Sequence, residues 1–412
     1  MPSDAAYWLV SAPLKNGDDN DLFRSIKTVV TDNTLIGGLE LPSLKAGTLS
    51  SLLTLSDALP KHDAYFTSVV AKLLDTIKSL AAGSAQSQSQ SASQSQSQSD
   101  KDKLESYARI NDLPPTQYLI PHSGARQGWT WDAARWGQDG KVIDVVEALV
   151  KEMNSIDSIQ KQKVQGYNLA KGSLAGMQRK KMGNLSTKSL VGIVSKEDVV
   201  VDSEYLETLL VAVPNNLVRD WKEKYERLTT MVVPRSSSEI TKDDEYTLFN
   251  VTVFKKVKDE YLHKCREHKF LAREFAFDDE AEQRQQQEME EASAEEKELW
   301  TDLLRLSRTN FSEAYQLLVH LKVVRLYVES VLRYGLPADY SAIVLQPDSK
   351  TSLKTLKSLS SYFQFLASKE RGTGKKASGT GGNNDEVAGE WGAVMEQEYY
   401  DFVLFEVPKV VT

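Results

Sequence analysis

The longest regular pattern of apolar and polar positions runs from Val142 to Met182. Its apolar residues recur mostly at steps of three and four, as on one face of an α-helix. The other positions are polar, so this narrow stripe predicts a helix with one packing partner and water on its remaining sides. The stripe consists of Leu149, Met153, Ile156, Val164, Tyr167, Ala170, Leu174 and Met177.

Three glycines interrupt the C-terminal half of this predicted helix, namely Gly166, Gly172 and Gly176. Each glycine costs about 1 kcal/mol of helix stability relative to alanine. We therefore expect a place where the helix can bend, and the three glycines are candidates for a hinge.

A second and more polar helix is predicted from Asp279 to Leu306. This stretch contains strong helix formers and neither glycine nor proline. A helix this polar cannot lie inside a globule, so it either crosses solvent or pairs along one side with another helix. The alternative is a charged loop.

The chain between these two helices has a different pattern. Strands are predicted at Leu190–Val194, Leu206–Val213 and Tyr246–Val257, where β-branched and aromatic residues cluster or alternate with polar ones. Asn215–Leu228 has a helical pattern. Together these elements predict a compact α+β unit within residues 183–275.

If the two polar helices run antiparallel, this α+β unit lies at the tip of a stalk. The N-terminal segment 1–140 and the C-terminal segment 307–412 would then share the other end. We expect an elongated, helix-rich α+β protein on these grounds.

The clearest helix signal in the chain follows Asn310, which is a suitable N-cap with Glu313 three residues later. Gly335 and Pro337 are typical of a helix end. Residues 317–332 are apolar on nearly all sides, apart from one charged stripe about 80° wide. This stripe is either a solvated face or a docking strip for a partner, and it consists of Lys322, Arg325, Glu329 and Arg333.

No apolar run reaches the roughly 18 residues that a membrane-spanning helix requires, so direct membrane insertion is not expected. The N-terminal run Ala5–Ala12 follows Asp4 rather than a basic segment. It therefore predicts a buried edge strand and not a signal peptide.

Composition narrows the classes of function. The 412 residues, which correspond to two or three domains, carry 50 Lys and Arg against 58 Asp and Glu, a net charge of −8. A mildly acidic chain is a poor candidate for sequence-independent nucleic-acid binding, which depends on a dense basic surface. The single cysteine, Cys265, excludes an internal disulfide and suits a reducing compartment.

Two segments have low-complexity composition. Residues 84–99 alternate mainly Ser and Gln and predict a disordered surface insertion. Residues 371–384 are rich in Gly and predict a flexible linker. The latter contains Gly372-Thr373-Gly374-Lys375, but it lacks the first glycine and the Ser or Thr after the lysine that a phosphate-binding loop requires.

No group of side chains predicts catalysis, a cofactor or a metal. His263, Cys265 and His268 are close in sequence, but on a helix the two histidines are about 140° apart and cannot share a tetrahedral ion. His320 lies in the apolar helix and is expected to be a hydrogen-bonded core residue.

Two short charged clusters have both structural and functional interpretations. Asp243-Asp244-Glu245 precedes a predicted strand, as in a turn, and Thr241 with Asp244 fits a local cap. Arg179, Lys180 and Lys181 end the first long helix. They either receive an acidic partner or are simply solvated.

Segments distributed in order over most of the chain resemble the C subunit of the vacuolar-type proton-pumping ATPase, and we expect a fungal source. The Val324–Pro337 segment, VRLYVESVLRYGLP, is the most specific of them. The two low-complexity segments depart from the family pattern as insertions. The other matching segments are Thr34–Gly38, Leu41–Asp63, Arg179–Leu190, Leu209–Pro214, Asp243–Lys256 and Lys269–Phe275.

The resemblance implies a non-catalytic component of the cytosolic sector, with a globular head and a larger foot joined by a helical neck. The head would bind a peripheral stalk of E and G subunits, and the foot a second stalk and the cytosolic domain of the membrane-embedded a subunit. The expected parts are a foot (1–141), a neck helix (142–182), the head (183–275), a second neck helix (276–306) and the rest of the foot (307–412).

The same resemblance implies a role in holding the stator against rotor torque and in reversible disassembly. It places the protein in the cytoplasm, at the vacuolar or endomembrane surface, through the complex. The alternative function is a free-standing scaffold or actin-binding protein.

Overall fold

A computed structural model describes residues 6–13, 19–30, 34–86, 106–121, 128–137, 139–200, 203–275, 281–337, 340–348, 350–366 and 400–409. The chain divides into two compact units. The first unit comprises residues 1–162 and 303–412, and the second comprises residues 163–302. Both contain helices and antiparallel sheet, which confirms the predicted α+β class.

The strands are β1 (Ala6–Pro13), β2 (Leu35–Leu39), β3 (Leu206–Pro214), β4 (Glu239–Lys242), β5 (Tyr246–Phe254), β6 (Leu271–Arg273), β7 (Tyr340–Gln346) and β8 (Val403–Pro408). The α-helices are α1 (Asp19–Val29), α2 (Leu49–Gln86), α3 (Pro115–Leu119), α4 (Ala133–Trp136), α5 (Val142–Met182), α6 (Val218–Lys224), α7 (Lys258–Glu267), α8 (Ala281–Tyr334) and α9 (Ser352–Tyr362). None of the helices among the described residues is both long and apolar enough to cross a bilayer.

The sheet of the first unit has the strand order β2-β7-β1-β8 and is antiparallel throughout. The prediction of an edge strand at the N-terminus is wrong, because β1 pairs with β7 on one side and β8 on the other. Alternate β1 residues enter different cores: Tyr7 and Leu9 on one face, Trp8 and Val10 on the other. A central strand buried on both faces explains its unbroken apolar run.

Helices cover both faces of this sheet. Apolar residues of α2, α5 and α8 share one core with Leu9, whereas residues of α1 and α9 share the other core with Trp8. The chain termini of the described part, β1 and β8, therefore lie together within one layer between helices.

The sheet of the second unit has the strand order β4-β5-β3-β6. The predicted strands at 206–213 and 246–257 are confirmed as β3 and β5, although β5 ends at Phe254 and passes into a 3-10 turn. The helical pattern at 215–228 is confirmed as α6 with a 3-10 turn at each end. Leu209 and Val211 of β3 face a core with Trp221, and Leu210 faces the opposite core.

The strand predicted at Leu190–Val194 is wrong. The backbone N–H groups of Ile193 and Val194 both donate to the Leu190 carbonyl, so the segment is a turn. Gly192 between them has φ +77°, a left-handed conformation that favours glycine. Leu190 and Val194 are nevertheless buried on the sheet, which shows that an apolar run can report burial without reporting strand geometry.

The bounds predicted from the sequence are correct for one of the two long helices and only partly correct for the other. α5 has the predicted bounds, Val142–Met182. α8 contains the predicted polar helix from Ala281 onward and continues without a break to Tyr334, so the separate start at Asn310 is wrong. The end is as expected, because Gly335 has φ +88° and its N–H donates to the Val331 carbonyl.

Asn310 is not an N-cap because its side chain has a tertiary partner. Its amide donates to Oε1 of Gln160 on α5 at 3.0 Å, and the Gln160 amide donates to the Ser307 hydroxyl at 2.7 Å. All three side chains are buried. Asparagine is common at helix starts, but here Asn310 lies within α8 and its side chain links α8 to α5.

Of the two low-complexity segments, residues 84–86 belong to the end of α2. Residues 87–99 and 371–384 lie outside the described residues.

Candidate partner-binding surfaces

The charged stripe of α8 is largely engaged within the first unit. The Asp63 carboxylate on α2 lies 2.8 Å from the Lys322 ammonium and 2.5 Å from the Arg325 guanidinium. Asp63 and Lys322 are both buried. Burial lowers the pKa of Lys322 below its usual value, against the opposing effect of the adjacent carboxylate. With Arg325, which keeps about 25% of its side-chain area exposed, Asp63 and Lys322 form an ionic group that joins α2 to α8, called the buried ionic group below.

At the C-terminal end of the stripe, Arg333 binds the segment that precedes β8. Arg333 donates to the carbonyl oxygens of Tyr400 and Phe402, at 2.8 and 3.2 Å, and pairs with Glu329 at 3.0 Å. The Arg325 guanidinium stacks on the Phe405 ring, 4.3 Å from its centroid. The described contacts of the stripe are thus internal, and its role as a docking strip stays a prediction.

Asp63 was not singled out from the sequence. It lies within the Leu41–Asp63 segment that resembles the family, and Leu59 and Phe66 on either side of it are buried. A carboxylate on the apolar face of a helix was the available signal, because a buried charge requires an opposite charge.

The basic residues at the end of α5 line a cleft in the second unit. Lys180 and Lys181 face a space of about 680 Å³, to which Lys188 and Arg273 add positive charge and Glu288 adds one negative charge. Both lysines of α5 are exposed. Arg179 is also exposed, and its Nε donates to the Ala175 carbonyl.

The walls of this cleft are fastened to one another. The Arg273 guanidinium donates to the carbonyls of Leu185 and Lys188, at 3.3 and 2.9 Å. The Ser189 hydroxyl donates to Oε1 of Gln285 on α8, and its backbone N–H donates to the Lys180 carbonyl. Cationic groups held on such a framework are suited to an anionic surface.

The three candidate hinge glycines all lie inside the continuous helix α5. A Cβ atom added at Gly166, Gly172 or Gly176 would have no neighbour within 4 Å. Close packing therefore does not require glycine at these positions, and a hinge stays a prediction.

The acidic run 243–245 forms the predicted turn, but Asp243 is the capping residue rather than Thr241 and Asp244. Its carboxylate accepts from the backbone N–H groups of Leu185, Glu245 and Tyr246. Partial burial acts to raise the pKa of Asp243, but these three hydrogen bonds bring it below the usual value.

His320 has the predicted role of a hydrogen-bonded core residue. Its Nδ1 lies 2.7 Å from the Gln316 carbonyl, and burial lowers its pKa to about 4. The ring is surrounded by those of Trp129, Trp131 and Trp136, with centroids 4.9, 5.1 and 6.0 Å away. The sequence did not indicate that these three tryptophans, which lie close together in the chain, would surround a histidine of α8.

His263 and His268 lie at α7 and its C-terminal end, and Cys265 between them is buried. Burial raises the pKa of the Cys265 thiol to about 12, so the thiol stays protonated at neutral pH. Within the described ranges no three His, Cys, Asp or Glu side chains are grouped so that they could hold a metal ion.

Nearly the whole chain is similar to known proteins. Residues 7–403 match the family model of the V-ATPase C subunit. The chain is similar to the C 1 subunit of the V-type proton ATPase of Xenopus laevis and of Bos taurus, with 34% identity over 403 residues and 97% of each chain covered. It is equally similar to the C 1-A subunit of the V-type proton ATPase of Danio rerio, with 34% identity over 404 residues and the same coverage.

A structural match has a TM-score of 0.27 and 12% identity, and it covers 87% of this chain and 97% of the other. The matching protein is the cytoplasmic N-terminal domain of the I subunit of V-ATPase, a homolog of the a subunit, in a crystal structure. A score this low carries no argument about fold. The expected fungal source stays a prediction.

Proposed function

Because the chain belongs to the family of the V-ATPase C subunit, and is thus a non-catalytic component of a proton-transporting ATPase, we propose that it acts in the stator and in assembly. It links the peripheral stalks of E and G subunits to the cytosolic domain of the a subunit. In this role it supports ATP-driven proton transport and controls reversible disassembly. The family match over residues 7–403 is the observation that carries this proposal.

The two compact units support a division of labour between separate binding surfaces. The second unit, residues 163–302, contains the proposed head and would bind one E–G stalk. The first unit, residues 1–162 and 303–412, contains the proposed foot and would bind a second stalk and the a subunit. Several moderate contacts give high avidity together, and losing one promotes loss of the others, as a detachable stator requires.

The cleft of the second unit is the proposed contact for an acidic face of the E–G stalk. Lys180 and Lys181 are exposed there, and Arg179 precedes them. On the foot, Glu329 and Arg333 of the α8 stripe keep about 31% and 21% of their side-chain area exposed, so a partner can still reach them. Membership in the complex supports a peripheral position at the vacuolar or endomembrane surface.

Binding of the full-length chain to a purified E–G heterodimer tests the head contact. We expect Lys180→Glu with Lys181→Glu to weaken this complex by about tenfold or more, because each reversal replaces attraction by repulsion. Lys163→Glu, at an exposed position of α5 away from the cleft, is the matched control. Equal affinities for all three proteins would contradict the assignment of this surface, whereas no E–G binding by the wild-type chain would contradict the stator role itself.

The neck hinge is a separate part of the proposal. Replacing Gly166, Gly172 and Gly176 by Ala should stiffen α5, because alanine restricts the helix backbone more than glycine does. We expect altered proton pumping or altered disassembly in complexes that contain this variant. Unchanged pumping and unchanged disassembly would argue against a hinge.

The alternative of a free-standing actin-binding scaffold makes a different prediction. A scaffold should sediment with actin filaments in the absence of E and G, and its removal should leave vacuolar acidification intact. We expect the opposite result in both assays, with acidification lost on removal.

A further inference from the structure

A second, smaller pocket lies in the first unit between the segment around Arg109 and helix α8. Its volume is about 320 Å³, within the range of small-ligand sites. Three arginines line it: Arg109 from the segment, and Arg305 and Arg308 from α8. All three are exposed enough to reach a solute.

The charge of this pocket is not balanced by its own carboxylates. Of the two acidic residues in its lining, Glu313 is already bound to Arg135 at 2.8 Å. Asp112 is the other one. Arg305 and Arg308 are three residues apart on one helix, where like charges repel. A bound anion would relieve this repulsion.

The two walls of the pocket are locked together. Ile110 and Leu113 exchange backbone hydrogen bonds at 2.8 and 2.9 Å around a tight turn, in which Asn111 and Asp112 have left-handed backbones. The Asn111 N–H donates to the Ser312 hydroxyl of α8 at 3.1 Å, and the Asn111 and Gln316 amides pair with each other.

One guanidinium is also positioned by an aromatic ring. Arg308 lies over Tyr107, 5.3 Å from the ring centroid. Arg109 Nη1 lies 3.4 Å from the Asp112 carbonyl. Arg308 and Arg109 are thus partly positioned before an anion binds, which lowers the conformational entropy that binding costs.

We propose that this arginine pocket binds a phosphoryl group. A guanidinium presents a planar set of donors that matches two oxygens of a phosphate, and several together favour a multiply charged anion. The Ser312 hydroxyl and the Asn111 side chain add polar groups to the lining, whereas the Thr309 hydroxyl donates to the Arg305 carbonyl. The group would belong either to a soluble phosphorylated solute or to a lipid headgroup, and its binding is distinct from the proposed assembly role.

Calorimetric titration of the full chain with inorganic pyrophosphate at low salt tests the pocket. We expect saturable binding at one site, weakened about tenfold or more by Arg305→Gln and by Arg308→Gln. Arg219→Gln, at an exposed arginine of α6, removes the same charge elsewhere and should leave the affinity unchanged. Absence of saturable binding, or an equal loss in all three variants, would overturn the proposal.

Arg308→Lys separates guanidinium recognition from simple charge attraction. It keeps the charge but removes the planar pair of donors, so we expect a clear loss of affinity. Wild-type affinity in this variant would overturn recognition by the guanidinium fork.

Flotation with phosphatidylcholine vesicles containing phosphatidylinositol bisphosphate identifies the source of the phosphoryl group. Flotation that is lost in Arg305→Gln supports a lipid headgroup. Pyrophosphate binding without flotation supports a soluble solute.

Discussion

The two parts of helix α8 have the same secondary structure in opposite surroundings. In the second unit, residues 283–302 are exposed or half-buried at every position. In the first unit, residues such as Phe311, Leu317 and Leu321 are completely buried. One part of the helix faces mostly water and polar side chains, and the other is a central element of a core.

This difference shows that a helix can be maintained by two different means. The exposed part has strong helix formers and pairs such as Gln286 with Glu290 and Gln287 with Glu291, four residues apart. The buried part is stabilised by removing apolar side chains from water. Substitutions in the two parts should therefore have very different effects.

The largest effect is expected at the buried ionic group. Asp63→Asn leaves the charges of Lys322 and Arg325 without their carboxylate and should destabilise the first unit by about 3–5 kcal/mol. Asp302→Asn in the exposed part of α8 should change stability by less than about 0.5 kcal/mol. Amide hydrogen exchange at residues 317–321 measures the local stability of the buried part of α8 in both variants. Equal protection in both variants would contradict a structural role for Asp63.

The triple variant Asp63→Leu, Lys322→Met, Arg325→Met sharpens the same comparison. Replacing the whole ionic group by apolar residues should recover most of the stability lost in Asp63→Asn. Failure to recover would mean that the ionic group has a role beyond mutual neutralisation.

Acid should destabilise the buried part through His320. Its pKa is about 4 in the folded protein against 6.5 for an unperturbed histidine, so the unfolded chain binds the proton more readily between these values. This contribution is fully present above pH 6.5 and decreases as the pH falls to 4, by about 3 kcal/mol in total.

Urea unfolding as a function of pH measures this contribution. His320→Gln should remove it, and the wild-type and variant curves should converge as the pH falls. Thr301→Ala, at an exposed and non-titrating position of α8, should leave the wild-type slope unchanged. Parallel curves for wild type and His320→Gln would contradict the expectation.

A smaller effect is expected at the polar contact between α5 and α8. Asn310→Ala leaves Oε1 of buried Gln160 without its donor and should cost about 1–3 kcal/mol. Thr301→Ala removes an exposed hydroxyl that bonds only within α8 and should cost less than about 0.5 kcal/mol. The difference in denaturant midpoint between the two variants is the measurement. Equal midpoints would show that the buried contact is dispensable.

The smallest effect distinguishes two kinds of glycine. Gly172→Ala, on an exposed face of α5 with space for a methyl group, should stabilise the helix by up to about 1 kcal/mol. Gly335→Ala, at φ +88° after α8, should destabilise by about 1–2 kcal/mol. Thermal unfolding measures whether the Tm of each variant rises or falls. A shift of the Tm in the same direction for both variants would refute this distinction.

Much of the local structure was predictable because it depends on neighbours in the sequence. The bounds of α5, the two long strands β3 and β5 and the end of α8 at Gly335 followed from periodicity and from one glycine. The start of α8 and the turn at Gly192 were misjudged. At Asn310 a tertiary hydrogen bond outweighed the local capping preference. At Gly192 the glycine itself favours the turn, and the apolar run around it reflects burial rather than strand geometry.

The candidate surfaces were predictable only in part. The basic residues of α5 stood out in the sequence, but the cleft around them needs Lys188 and Arg273, which come from other segments. The α8 stripe also stood out, whereas its internal partner Asp63 is 259 residues away from Lys322. The spacing of charged residues along a helix shows that they lie on one face. It does not show which side chains of other segments contact that face.

By itself, the sequence determined the family, the α+β class and the presence of long helices, because segment identity, hydrophobic period and helix propensity are written in consecutive residues. Tertiary structure alone decided that the first strand is central, that Asn310 joins two helices and that the three arginines share a pocket. These outcomes depend on contacts between distant segments, whose free energies exceed the local preferences of the residues involved.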